Sequence, residues 1–406
     1  MSGQATLIEN QYTLAPAAGV DLHKLQRIAL LVGIAGLVAL VIGFFITPTQ
    51  QFLRAYLVGF LFWNGMTLGC WGILMIQYMS GGAWGMMLRR TLEAGTRTWI
   101  LSALLVLPIL LGVHELYSWA QPAVVAHDKV IQDKQFYLNV PFFLFRAVLY
   151  YVIWGTIITL LNRWSLLQDR TGDPKYAKRL ESLSAPGIVI YAFTMSFAAT
   201  DWIMSLTPHW FSTIYGLLLC VDQTLSAMAL VVATIVLLSK FEPLASIITK
   251  RHLHDMGKLL LAFTMLWAYL SFSQLILIWS GNLPEEITWY IDRLNGGWQY
   301  VGAVLLIFHF GFPFLMLLSQ ALKRNPKTIQ MIAIYVIFLR IIDVFWLVEP
   351  NFSGSHFQLH WLDVVAPIGI GGLWLAYFFR NLSERPILPL NAPDLEKALN
   401  HGRHQH

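Results

Sequence analysis

The sequence predicts an all-α integral membrane protein with about ten transmembrane helices. Three observations predict it. Of the 406 residues, 57% are hydrophobic and only 12% carry a charge, against about a quarter in a soluble domain. The apolar residues come in runs of about 20, the length that crosses a bilayer at ~1.5 Å rise per residue. The charged residues gather in the gaps between those runs, beside Pro and Gly.

Taken in order, residues 1–26 are polar and mixed and predict an N-terminal segment outside the membrane. The first apolar run lacks a small-residue cleavage site, so it is expected to remain as a span. Spans are predicted at 27–46, 54–78, 97–115, 138–162, 184–205, 212–238, 258–280, 297–321, 328–348 and 362–380. The membrane domain therefore covers 27–380, and 381–406 is expected to form an extended, solvated C-terminal tail. The His-rich end of that tail invites a metal reading, but a solvated tail is the favoured one. No internal repeat is evident.

Orientation follows from Lys and Arg. Of 27 such residues, 21 fall on the side of the termini, and four (Arg54, Lys129, Lys134 and Arg293) fall on the other. Both termini are thus expected to face the cytoplasm. The net charge of +5 is spread over connectors, which argues against a nucleic-acid partner.

The chain offers few means of holding a redox centre. Cys70 and Cys220 each lie inside an apolar run, with no CxxC or CxxCH. An iron–sulfur cluster, a structural zinc and a covalent haem are therefore not predicted in this chain. Two haems would need four facing histidines, and within the spans only His309 is well placed, with His114 at an edge. No nucleotide-binding loop is present.

The informative residues are charges inside apolar runs. Each costs about 2.5–3.5 kcal/mol on insertion scales and so calls for a partner or water. They are Arg146, Asp201, Asp222, His309, Arg340 and Asp343, with His114, Glu115 and Glu349 at helix ends. Most fall in the outer half of the membrane. Arg340 and Asp343 are three apart and share a helix face. Tyr191, Thr194 and Asp201 form one stripe; Tyr215, Asp222 and Ser226 form a second. Thr264, Trp267, Ser271 and Gln274 form a third. Such stripes face a bundle interior or a hydrated path. Asp201, Asp222, His309, Asp343, His114 and Glu115 are candidates for a proton relay or a quinol site, with Arg146 and Arg340 as charge partners. Pairing as structural glue is the competing reading for any one of them. The inner half has few ionisable groups.

Three stretches carry a resemblance: KQFYLNVPFFLFRAVLYYVIW, APGIVIYAFTMSFAATDWIMSLTPHWFSTIYG and HWLDVVAPIGIGGLWLAYFFRNL. They resemble the ActF family, the smaller NrfD-like (polysulfide reductase-like) membrane subunits of bacterial alternative complex III, a quinol:cytochrome c oxidoreductase. TDW-x-MSL-x-PHW-x-S-x-x-YG is the most specific part. The resemblance implies two four-helix bundles, at spans 2–5 (about 54–205) and 6–9 (about 212–348), flanked by two more helices. It implies multihaem and monohaem cytochrome c partners, an iron–sulfur protein and a larger NrfD-like subunit. Those partners would hold the haem c and the clusters, in a bacterial inner membrane with its lipids. They would oxidise menaquinol or ubiquinol and pass electrons to a carrier or a terminal oxidase. This chain would be a subunit of that oxidoreductase rather than a stand-alone enzyme, and would supply a proton path. A quinol site near the outer face, a secondary transporter and a structural anchor are the alternatives.

Overall fold

The computed structural model describes residues 22–353 and 356–401. Among the described residues every regular element is a helix. Ten are long and apolar enough to span a membrane: α1 Leu22–Ile46, α2 Thr49–Ser80, α3 Ala83–Leu111, α4 Val140–Thr171 and α5 Pro174–Leu206 precede the midpoint. α6 Tyr215–Leu238, α7 Lys250–Gly281, α8 Trp298–Leu318, α9 Pro326–Ser353 and α10 Trp361–Ser383 follow it. α3 and α8 are not continuous. α3 breaks near Arg97 and again at Val106, and ends at Gly112. α8 contains a π-helical turn at Leu305–Gly311.

α2 and α6 form the centre. The apolar window of α2 is wholly buried and that of α6 is 89% buried, whereas that of α7 is 28%. Both helices carry apolar residues on every side, as a helix surrounded by other helices must, with a few buried polar side chains among them. α2 packs against α3, α5, α6, α9 and α10; α6 packs against α2, α5, α7 and α9. A Cβ at Gly69 of α2 would run into the backbone carbonyl of Gln223 on α6. Only glycine lets the two backbones come so close.

α1 stands apart and leans on α10. Its buried face is Ala29, Gly33, Leu40 and Gly43, on the side turned to α10. Gly33 meets Gly372, and Gly36 meets Gly369, backbone against backbone. The two helices run antiparallel, so both described ends lie at one face of the bundle, here termed the terminal face.

Two expectations need correction. RRTLEAGTR, read as a loop between spans 2 and 3, lies largely within a buried helix, because α3 starts at Ala83. Arg89, Arg90 and Glu93 are each no more than 2% exposed. Likewise residues 384–401 are not a free tail. They cross the terminal face as a strap, burying Ile387, Leu388, Leu395 and Ala398. Arg385 donates to Glu93 and to Asn162, and Asn391 donates to the Asp169 carbonyl at 2.6 Å. Further on, His401 Nε2 lies 2.9 Å from Asp255 of α7. The rest of the His-rich end, His404 and His406, lies outside the described residues.

Opposite the terminal face, 284–294 forms a helix that was not expected, seated by Arg293. The Arg293 guanidinium lies 3.6 Å from the centre of the Trp289 ring and donates to the Leu347 carbonyl.

Replacing Gly36 by Leu should weaken the α1–α10 contact. Overpacking of this kind costs about 1–3 kcal/mol. Thermal melts of the detergent-solubilised protein should shift downward for Gly36→Leu and stay in place for Gly281→Leu, where an added Cβ meets nothing within 4 Å.

Candidate functional site

Arg146 and Asp201 fall in one network and Asp222, His309, Arg340 and Asp343 in a second, and a third network was not foreseen. The first joins α4 and α5 near the face opposite the chain ends. Arg146 donates from Nε to Asp201 Oδ2 at 2.9 Å and from Nη2 to Oδ1 at 2.7 Å. Tyr150 adds a third bond to Oδ2 at 2.6 Å. The remaining Arg146 nitrogen donates to the Tyr137 carbonyl at 2.9 Å, and the guanidinium lies 3.8 Å from the Tyr137 ring centre. Asp201 is 1% exposed. A bidentate, fully hydrogen-bonded pair of equal and opposite charge is the arrangement that survives burial.

The second network lies deeper, among α6, α7, α8 and α9. Arg340 sits 3.1 Å from Asp222 and bonds Asp343 on its own helix, as the three-residue spacing requires. It also donates from Nε to Ser226 Oγ at 3.3 Å. Trp267 Nε1 donates to Asp343 at 3.2 Å, and its ring lies 4.4 Å from that of His309. Asp222, Arg340 and Asp343 are 2–3% exposed, and His309 is fully buried. Here one guanidinium serves two carboxylates. It cannot neutralise both, and a proton on either restores neutrality.

Asp222 also borders a cavity of about 30 Å³, together with Gln223, Ser226 and Arg340 and an apolar wall that includes Leu61 and Met195. That volume admits one water, which needs roughly 10–15 Å³ and two to four polar partners. Neither Asp222 oxygen has a hydrogen bond in the protein. Its closest cation, Arg340, is within ion-pair range but poorly aligned to donate. Both His309 ring nitrogens also lack a partner. His309 rides on the π-helical turn of α8. Such turns recur at functional positions because they re-aim a side chain within a helix.

The other predicted residues are placed as follows. Tyr191 donates to Gln223 Oε1 at 2.8 Å, just below the cavity. Thr194 accepts from Trp154 Nε1 at 2.9 Å and stays between α4 and α5. Tyr215 is fully buried beside Trp210 and Trp289, and its hydroxyl has no partner. Gln274 accepts from Ser212 and donates to Tyr290. Ser271 is half-buried. His114 and Glu115 are exposed on a short turn, and the fold does not bring them to either network. Among the described residues no hydrogen bond or ion pair links Asp201 to Asp222.

The unforeseen network sits at the terminal face. Glu93 of α3 receives Arg89, Arg90, Ser165 and Arg385, the shortest contacts being 2.5 Å to Ser165 and 2.6 Å to Arg90. Arg90 also bonds Asp169. The expectation of few ionisable groups at this end is thus corrected: the helices run past the apolar runs and bury charges there. A hydropathy window discards such a segment, although the three- and four-residue spacing of Arg89, Arg90 and Glu93 signals a helix.

No family model matches the chain, and no curated protein matches it either.

Removing one partner of a buried ion pair costs about 3–5 kcal/mol, because the other is left uncompensated. Arg146→Met should therefore destabilise more than Arg146→Met with Asp201→Asn, measured by chemical unfolding in detergent.

A pH-sensitive contact lies in the exposed loops. Desolvation, the largest single effect, opposes it, but His209 and the N–H groups of Ile131 and Val130 together hold the Asp128 carboxyl below its usual range. His209 Nε2 lies 2.7 Å away. A depressed carboxyl stabilises above its unfolded value, about 3.9, and that contribution is lost as pH falls through the folded value. Hydrogen exchange at 129–133 should accelerate below about pH 4, and Asp128→Asn should remove the change.

Proposed function

We propose that this chain is the smaller NrfD-like membrane subunit of a bacterial alternative complex III, lying in the inner membrane with both termini in the cytoplasm. Its ten helices act as two four-helix bundles, spans 2–5 and 6–9, with α1 and α10 flanking them. Within the complex the chain carries protons, while the partner subunits oxidise quinol and hold the haem c and the iron–sulfur clusters.

The observation that carries the proton reading is the sharing of Arg340 by Asp222 and Asp343 beside a cavity of one water's size. A group of this kind has two protonation states. With one proton the triad is neutral; without it the triad bears one net negative charge in an apolar interior. A modest change in hydration or pairing, driven by a partner, suffices to load or empty it. Asp222 is the loading position, since its oxygens face the cavity. Arg340 turns between the two acids. Tyr191 and Gln223 continue the polar route away from the cavity, and His309 lies on the far side, across Trp267.

The Arg146–Asp201 pair plays a different part in this reading. It is balanced and pinned by three bonds, so it fastens α4 to α5 rather than carrying protons.

The test has two steps. Affinity purification from native membranes in mild detergent should bring haem c subunits and a large iron–sulfur protein; a haem-free chain travelling alone, in a detergent shown to preserve such complexes, would overturn the family reading. In the reconstituted complex, Asp222→Asn should lower protons released per electron by the transported fraction. Asp201→Asn should lower thermal stability and leave that ratio alone. An unchanged ratio in Asp222→Asn would sink the proton reading and favour a structural anchor. A quinone found bound beside Asp222 or His309 would favour a quinol site instead.

A further inference from the structure

α3 and α4 splay apart on their outward side and leave a groove of about 610 Å³. The wall from α3 runs from Trp99 to Leu110, and the wall from α4 runs from Ala147 to Leu160. The eleven steps from Trp99 to Leu110, at ~1.5 Å each, give a length of about 16 Å. That is roughly half of the ~30 Å hydrocarbon core, the depth of a single leaflet. The groove starts level with Trp99 and Leu160, near the terminal face, and runs toward the membrane centre. It opens outward, since Val148 and Val152 on its rim are 60% and 57% exposed. At its terminal end Trp99 lies flat against Gly155, where an added Cβ would come within 2.6 Å of the ring.

The deep lining offers little to a polar ligand. The Tyr151 hydroxyl is taken up by Asn64 and the Ser102 carbonyl, and that of Thr156 by the Val152 carbonyl. The mouth differs. The α4 wall advances by three and four residues through 152, 155, 156, 159 and 160, and the next position on that face is Arg163. Arg163 is exposed, and no ion pair joins it to any described residue. Thr159, also exposed, is one turn away. Trp164 adjoins, with the Arg179 guanidinium 5.9 Å from its ring. An aromatic ring amphipathic enough for the interface, beside a cation that has no ion pair, is what a lipid phosphate meets at the edge of the hydrocarbon.

We propose that the α3–α4 groove holds one acyl chain of an anionic phospholipid, with the headgroup phosphate at Arg163 and Thr159. The length fits one leaflet, the deep lining accepts hydrocarbon alone, and the charge sits at the end where the headgroup emerges. The assignment does not rest on the proton reading or on the family reading.

The experiment is native mass spectrometry of the purified chain in mild detergent, titrated with phosphatidylglycerol or phosphatidylcholine. Wild type should retain one tightly bound phosphatidylglycerol in preference to phosphatidylcholine. Val148→Trp with Val152→Trp, two exposed positions that fill the groove, should lower retention at least tenfold with an unchanged helical circular dichroism spectrum. Arg163→Gln should keep binding but erase the preference for the anionic headgroup. Equal retention in the filled variant, a preference unaffected by Arg163→Gln, or a groove occupied by an isoprenoid quinone or by nothing would each overturn the proposal.

Discussion

The backbones of α2 and α6 touch where Gly69 meets the Gln223 carbonyl, and the rest of the bundle is arranged around that contact. Within a membrane, apolar side chains gain little by leaving lipid for one another, so close packing and polar bonds must hold helices together. Bringing two backbones into contact gives each helix many near neighbours and leaves the outer positions to α3, α5, α7, α9 and α10. It also fixes where the side chains of α6 emerge. Gln223 lies against Gly65, and Asp222 turns toward α9 and the small cavity. A larger residue at Gly69 would push α6 outward and separate Asp222 from Arg340.

The three charged networks show how differently an apolar medium can be satisfied. Arg146 and Asp201 are balanced one to one and leave no bond unmade. At the terminal face several cations surround Glu93 and Asp169, close to water. In the centre a single guanidinium is divided between two acids. The Arg146–Asp201 pair has no unsettled charge; the central group has one, and it also has His309, a π-helical turn and space for water beside it. Burial alone does not mark a working residue, since Asp201 and Asp222 are buried alike. The balance of charge around each separates them.

Much of this was legible in the sequence. Helix number follows from hydropathy, because a span must be about 20 residues long. The Arg340–Asp343 contact follows from a spacing of three. That Arg146 and Arg340 need acidic partners follows from the cost of charge in lipid, but which acid each one takes depends on helix neighbours, which a single sequence does not specify. Three features stayed hidden for physical reasons. Arg89, Arg90 and Glu93 lower the local hydropathy as a loop would, although tertiary partners bury them. The strap at 384–401 is too polar and too short in its apolar runs to suggest packing, and its contacts are with residues far away in sequence. The π-helical turn at His309 has no compositional mark at all.

The strap has a consequence for biosynthesis. Glu93 and Arg385 are 292 residues apart. At about 5–20 residues per second, the partner reaches Glu93 some 15–60 s after it is made. Until then the nascent chain presents Glu93 of α3 and Asn162 of α4 without the donor that bridges them, in a protein whose spans have nearly all been inserted. The terminal face is therefore completed last, by a segment made after every helix it crosses.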